Sequence, residues 1–96
     1  MPTLGQLASA IRSKPAGADH AAFDVVFHDR GHFEQVRDAA LLTPDSIADL
    51  LRIPVEWVTR FRVYEPGNAI QFTIRRDPGA GDPAEAAALL AELDVV

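Results

Sequence analysis

Thr59-Arg60-Phe61-Arg62-Val63-Tyr64-Glu65-Pro66-Gly67-Asn68-Ala69-Ile70-Gln71-Phe72-Thr73-Ile74-Arg75 predicts two strands and the turn between them. Phe61 and Val63 alternate with Arg60, Arg62 and Tyr64. Ile70, Phe72 and Ile74 alternate with Gln71, Thr73 and Arg75. Period-two alternation rich in aromatic and β-branched residues marks half-buried strands. Glu65-Pro66-Gly67-Asn68 is turn chemistry. The simplest arrangement is an antiparallel hairpin with one apolar face and one face carrying Arg60, Arg62, Arg75, Gln71, Thr73 and Tyr64.

Upstream, Ala22-Phe23-Asp24-Val25-Val26-Phe27 reads as a third strand, with Phe23, Val25 and Phe27 on one side. Asp29 is placed to cap the helix that follows. Phe33, Val36 and Ala40 line its buried side, and Glu34, Arg37 and Asp38 face water. A second helix opens at Thr43 as N-cap, with Pro44 at its first position and Asp45 in its first turn. Ile47, Leu50 and Leu51 form its apolar stripe. Ile53-Pro54 ends it, and Pro54 opens a short turn through Trp57.

The ends of the chain are less decided. Residues 3–12 read two ways. Leu4, Leu7, Ala8 and Ile11 have helical spacing, Gly5 opposes a helix, and the stretch also fits an edge strand. Residues 83–93 form an Ala-rich helix with Leu89, Leu90 and Leu93 as a docking stripe, so 76–96 is a C-terminal tail or helix. Strands on either side of a helical middle predict a single α+β domain over 1–96. The expected architecture is a ferredoxin-like two-layer sandwich, or a permuted relative, with an antiparallel sheet and helices on one face.

Ninety-six residues, 48% of them hydrophobic, suffice for one modest core. There is no cysteine, which excludes disulfides and thiolate metal sites. The net charge of −5 opposes binding to nucleic acid or an anionic membrane surface through bulk charge. No apolar run approaches a membrane span. Met1-Pro2-Thr3-Leu4 lacks the basic start and apolar stretch of a secretion signal, so a cytoplasmic location is expected.

Arg12-Ser13-Lys14-Pro15-Ala16-Gly17 is the first candidate for chemistry. As a basic loop it offers Arg12 as a bidentate clamp for a carboxylate, Lys14 as a point charge and Ser13 as a hydrogen-bond donor. Gly17 would let a ligand approach the backbone. The plain alternative is a connecting turn with solvated cations.

The same string carries a family resemblance. Thr3-Leu4-Gly5-Gln6-Leu7-Ala8, Ile11-Arg12-Ser13-Lys14, Ala16-Gly17 and Phe27-His28-Asp29-Arg30 resemble DUF4387 proteins. Leu42-Thr43, Ile53-Pro54 and Ile74-Arg75-Arg76 continue the likeness, which covers residues 3–76. Pro15 stands where the family usually has Asn, and His28 where a second acid often follows the strand. The family is similar to the C-terminal, ferredoxin-fold part of AtuA-like proteins, linked to acyclic terpene and branched-acid catabolism. There the comparable loop reads Arg-Ser-Gly-Asp-Lys-Gly.

The resemblance implies a small subunit or detached domain that works with a larger AtuA-like polypeptide on a small anionic substrate, with no cofactor. The reaction implied is that of a hydratase or hydro-lyase on an acyl or carboxylate substrate. Lys14, Ser13 and His28 would be its catalytic residues, and Arg12 and Gly17 its substrate-binding ones. From the strand alternation, the face with Arg60, Arg62, Arg75 and Tyr64 is either a solvated sheet face or the partner interface. A chain this short, with no complete acid–base or nucleophile set, is expected to be inactive alone. The alternative is a noncatalytic binding or regulatory module for an anionic ligand or a protein partner.

Two further patterns compete. His20, His28 and His32 are either surface histidines or a metal or acid–base cluster. There is no HExxH motif, and no metal site is expected. Residues 43–58 have the apolar spacing of a helix-turn-helix, with Arg60 and Arg62 extending a recognition helix. The acidic net charge, a turn without glycine and the strand-like alternation from 59 oppose it.

Overall fold

The computed structural model describes residues 2–17, 19–76 and 83–95. Part of the loop expected at 77–83 lies outside these. The elements run α1 (Leu4–Leu7), β1 (Ala10–Pro15), β2 (His20–Val26), α2 (Arg30–Asp38), α3 (Pro44–Leu51), β3 (Val58–Tyr64), β4 (Ala69–Arg75) and α4 (Pro83–Ala91), with a single 3-10 turn at Val55–Trp57 and another at Glu65–Gly67. The four strands form one sheet in the order β1-β2-β4-β3, and every neighbouring pair is antiparallel.

The expected α+β two-layer sandwich is present. β2 and β3 both run antiparallel to β4, which lies between them, so α2 and α3 connect two parallel strands across an intervening one. That is the split βαβ unit of ferredoxin-like folds. The two chain ends lie side by side: Leu4 N–H donates to Leu93 O at 2.7 Å, and Val95 N–H to Pro2 O at 2.8 Å. Adjacent termini and this strand order are compatible with a ferredoxin-like sandwich entered at a different loop.

The register puts Phe23, Phe72 and Phe61 in one cross-strand row and Val25, Ile70 and Val63 in the next. These rows meet the helices through a single core that includes Leu4, Phe33, Val36, Ile47 and Leu90. Phe23 and Phe72 stack at 5.1 Å between ring centroids. Each large apolar side chain buried here contributes about 1.5–3 kcal/mol through removal from water.

The ambiguous N-terminus is both things in turn. α1 is one turn of helix closed by a reciprocal Thr3–Gln6 capping box, and β1 follows it. Gly5 allows a close approach to α4 there: a Cβ would stand 3.0 Å from the Ala91 Cβ and 3.1 Å from its carbonyl. At the other end, Leu90 is fully buried whereas Leu89 is 44% exposed, so α4 docks through part of its expected stripe.

Ala40 departs from its expected place on the buried side of α2. It lies beyond the helix with φ 51° and is exposed. Its N–H donates to Arg37 O and the Leu41 N–H to Val36 O, at 3.1 and 3.3 Å, which is a Schellman termination. The helix-turn-helix alternative fails as well. The chain leaves α3 through Arg52 in the left-handed region and, after one 3-10 turn, becomes strand β3. Arg60 and Arg62 therefore lie on a strand and extend no recognition helix.

Candidate functional site

One face of the sheet is covered by helices, and the other forms an open concavity of about 900 Å³. Two cross-strand rows run through it. Arg12, Asp24, Gln71 and Arg62 form the first, and Lys14, Ala22, Thr73 and Arg60 the second. In each row the cations stand on the outer strands β1 and β3, and smaller or uncharged groups, with one carboxylate, occupy the centre.

This geometry corrects the view of residues 12–17 as a loop. Ala10–Pro15 is a strand, and its alternation turns Arg12 and Lys14 to the open face. Ser13, between them, pairs with Phe23, is half-buried and is also among the residues that line the concavity. Gly17, in the following turn, has φ 100° with nothing within 4 Å of where a Cβ would project, and it does not line the concavity. His28 is exposed beyond the end of β2 and likewise stands outside it.

On β3 the outward placement of Arg60 depends on an irregularity. Val58 pairs with Ile74 but Arg60 pairs with Thr73, so Thr59 is an extra residue in the ladder. Without that bulge, Val58 and Arg60 would share a face. The Thr59 hydroxyl donates to Thr73 O at 3.3 Å. Arg62 lies 4.8 Å from the centroid of the Tyr64 ring, and Arg75 lies 5.4 Å from that of Trp57. Aromatic contact holds these two guanidinium groups without neutralising them.

Among the described residues, Arg12, Lys14, Arg60 and Arg62 have no carboxylate within salt-bridge distance. The other charged cluster of the domain is internally satisfied. Arg37 donates to Glu65 Oε1 at 2.5 Å and to Asp38 at 2.9 Å, and Arg30 donates to Glu65 O at 2.8 Å and Asn68 Oδ1 at 3.0 Å. Hydrogen bonding to Asp38 raises the Arg37 pKa. That network ties α2 to the β3–β4 turn, whereas the four cations of the concavity take no part in it.

Asp24 had not been singled out by sequence. It sits between Arg12 and Gln71 in the first row, and its Oδ1 is buried with no hydrogen-bond partner. The available signal was the outward position of an acid in the alternating strand 22–27, on the same side as the outward arginines of the hairpin.

The three histidines do not converge into a ligand set. His20 Nδ1 pairs with Asp19 Oδ1 at 2.8 Å, which lowers the Asp19 pKa. His32 contributes its backbone N–H to the Asp29 cap. Among the described residues no three His, Asp or Glu side chains are grouped to hold a metal, and no helix is long and apolar enough to cross a membrane.

Against known families, the model of a domain of unknown function, DUF4387, matches residues 4–93. The chain belongs to the DUF4387 family. The match extends past the 3–76 carried by the quoted motifs and takes in α4, so the Ala-rich helix is part of the DUF4387 domain. No curated protein and no solved structure matches the chain.

Proposed function

We propose that this DUF4387 chain is an anion-binding subunit, or detached domain, of a larger AtuA-like enzyme, and that its open sheet face forms one wall of a shared active site. The observation that carries this reading is the convergence of Arg12, Lys14, Arg60 and Arg62 on one concavity, with no ion-pair partner among the described residues, in a chain whose net charge is −5. Unpaired cations held on a rigid sheet recognise carboxylate or phosphate without reorganisation. The resemblance to AtuA-like proteins supplies the reaction class, a hydration or dehydration of an acyl or carboxylate substrate.

On this reading the loop site and the docking face expected from sequence are one surface. Arg12 and Arg62 clamp the anionic group from opposite edges, and Lys14 supplies a further charge. Tyr64 and Arg75, toward the margins of the same sheet face, meet the companion chain. His28 and Gly17 lie outside the concavity, and Ser13 lines it between Arg12 and Lys14.

The test is size-exclusion chromatography of the chain with and without the larger AtuA-like polypeptide. A stable 1:1 or 2:2 complex is expected. Arg62→Glu abolishes it while leaving the small chain folded, and Arg12→Ala abolishes turnover by the complex. Co-elution of Arg62→Glu with its partner, or full activity of Arg12→Ala, refutes the shared wall.

A second reading is a noncatalytic module that holds an anion for regulation. It is favoured by the scarcity of proton-transfer groups in the concavity, where Lys14 and Asp24 are the ionisable ones besides arginine. Turnover by the complex that is lost in Lys14→Ala, with substrate binding retained, excludes it.

A further inference from the structure

The centre of the concavity differs in chemistry from its edges, and this restricts the ligand. A cup lined only with cations would accept any anion of suitable size. Here Asp24 stands in the middle of the first row, and its carboxylate repels an anionic group placed directly above it. The anionic part of a ligand is thereby directed to an edge, to Arg12 and Lys14 or to Arg60 and Arg62. The portion lying over the centre meets Asp24, Gln71 and Thr73, which are hydrogen-bonding groups.

Asp24 also has an unmet requirement. Its Oδ1 is enclosed without a hydrogen bond, and its other oxygen, which is not enclosed, accepts none from a described residue either; a carboxylate is an acceptor with no donor of its own. Leaving such a group unpaired is costly, and a ligand donor that reaches its accessible oxygen gains more than an ordinary exchange with water. Arg12 is its neighbour across the strand pair and still makes no ion pair with it. The unmet acceptor and the unpaired guanidinium are thus adjacent and separate, which suits a ligand presenting a donor beside an anion.

Building on the anion-site reading, we propose that Asp24 is the specificity-determining residue of this face and selects a hydroxy-carboxylate, accepting a hydrogen bond from its hydroxyl while the edge cations hold its carboxylate. Across the four strands the outer Cα positions are about 14 Å apart, three strand spacings. Long arginine side chains from both edges can close over a small acid lying between them. A hydroxyl next to a carboxylate is the group that a hydration reaction forms and a dehydration removes, so the same contact would distinguish hydrated from dehydrated acid.

Calorimetric titration with malate and with succinate, which differ by one hydroxyl, tests this on the intact chain. Malate is expected to bind about tenfold or more tightly than succinate, the effect of one charge-assisted hydrogen bond. Asp24→Ala is expected to remove the preference and leave succinate binding equal or stronger, because the central repulsion is gone. Arg12→Ala weakens both ligands. Equal binding of the two acids by the unaltered chain, or a preference retained in Asp24→Ala, overturns the role of Asp24 and leaves the anion site standing. Binding of neither acid by the chain, alone or in complex with its larger companion, overturns both. Circular dichroism of Asp24→Ala separates loss of preference from loss of fold, and Asp24→Leu, which is similar in shape and carries no acceptor, serves if the alanine variant unfolds.

Discussion

Arg12 on β1 and Arg62 on β3 stand fifty residues apart in sequence and in one cross-strand row, with Asp24 and Gln71 between them. Their charges face the same open concavity, and neither has an ion-pair partner among the described residues. The functional proposal depends on this juxtaposition of two edge strands.

Binding of a dicarboxylate to this face is therefore expected to be strongly salt-dependent, since exposed charges are screened beyond about 8 Å at physiological ionic strength. Raising salt from low to physiological concentration should weaken succinate binding, and the slope should become shallower in Arg12→Ala and in Arg62→Ala. Calorimetry across a salt series measures both effects. A salt-independent affinity would remove the electrostatic basis of the site.

Ala40→Gly is expected to stabilise the domain by about 0.5–1 kcal/mol. Ala40 occupies the left-handed position of the Schellman motif that ends α2, with φ 51° and an exposed side chain. Glycine meets that backbone geometry without steric cost and loses no buried contact. The urea midpoint should rise at unchanged slope.

Phe72→Ala should cost about 3–5 kcal/mol. The ring is 2% exposed and stacks on Phe23 at 5.1 Å in the centre of the sheet. Set against a total of about 5–15 kcal/mol for a native domain, the loss would leave the variant close to unfolding. Phe72→Leu, which keeps most of the volume, should retain the fold with a lower thermal midpoint.

Asp29 gives the stability of α2 an acid limb. The backbone N–H groups of His32 and Gly31 donate to its Oδ1 at 3.2 and 2.7 Å and hold its carboxyl below the usual value of 3.8. A depressed folded-state pKa contributes stability that is fully present above the unfolded value and lost as pH falls through the folded one. Asp29→Asn keeps a capping oxygen and should flatten this part of the stability–pH curve. Asp29→Ala should destabilise the domain at neutral pH. Denaturation curves between pH 2 and about 6 check the sign.

Much of the architecture was readable residue by residue. The alternation at 59–75 yielded both strands and their outward arginines, and Thr43-Pro44 yielded the start of α3, because these signals act over a few neighbours. Ala40 misled because alanine is the strongest helix former, and the termination there rests on backbone hydrogen bonds to Arg37 and Val36. Pro15 and Gly17 made residues 12–17 look like a loop, yet proline is tolerated at the end of an edge strand. The i, i+2 spacing of Arg12 and Lys14 was the unused sign that both point to one side.

Local sequence thus determined which side chains of β2, β3 and β4 share a side and where α2 and α3 begin. It did not determine which strands are neighbours, or that the two basic pairs close around Asp24. Those outcomes depend on pairing between segments far apart in the chain, set by how the buried rows of Phe23, Phe72 and Phe61 pack under the helices. A shift of one residue in that packing would turn every outward cation inward, so the site exists only at the register the core selects.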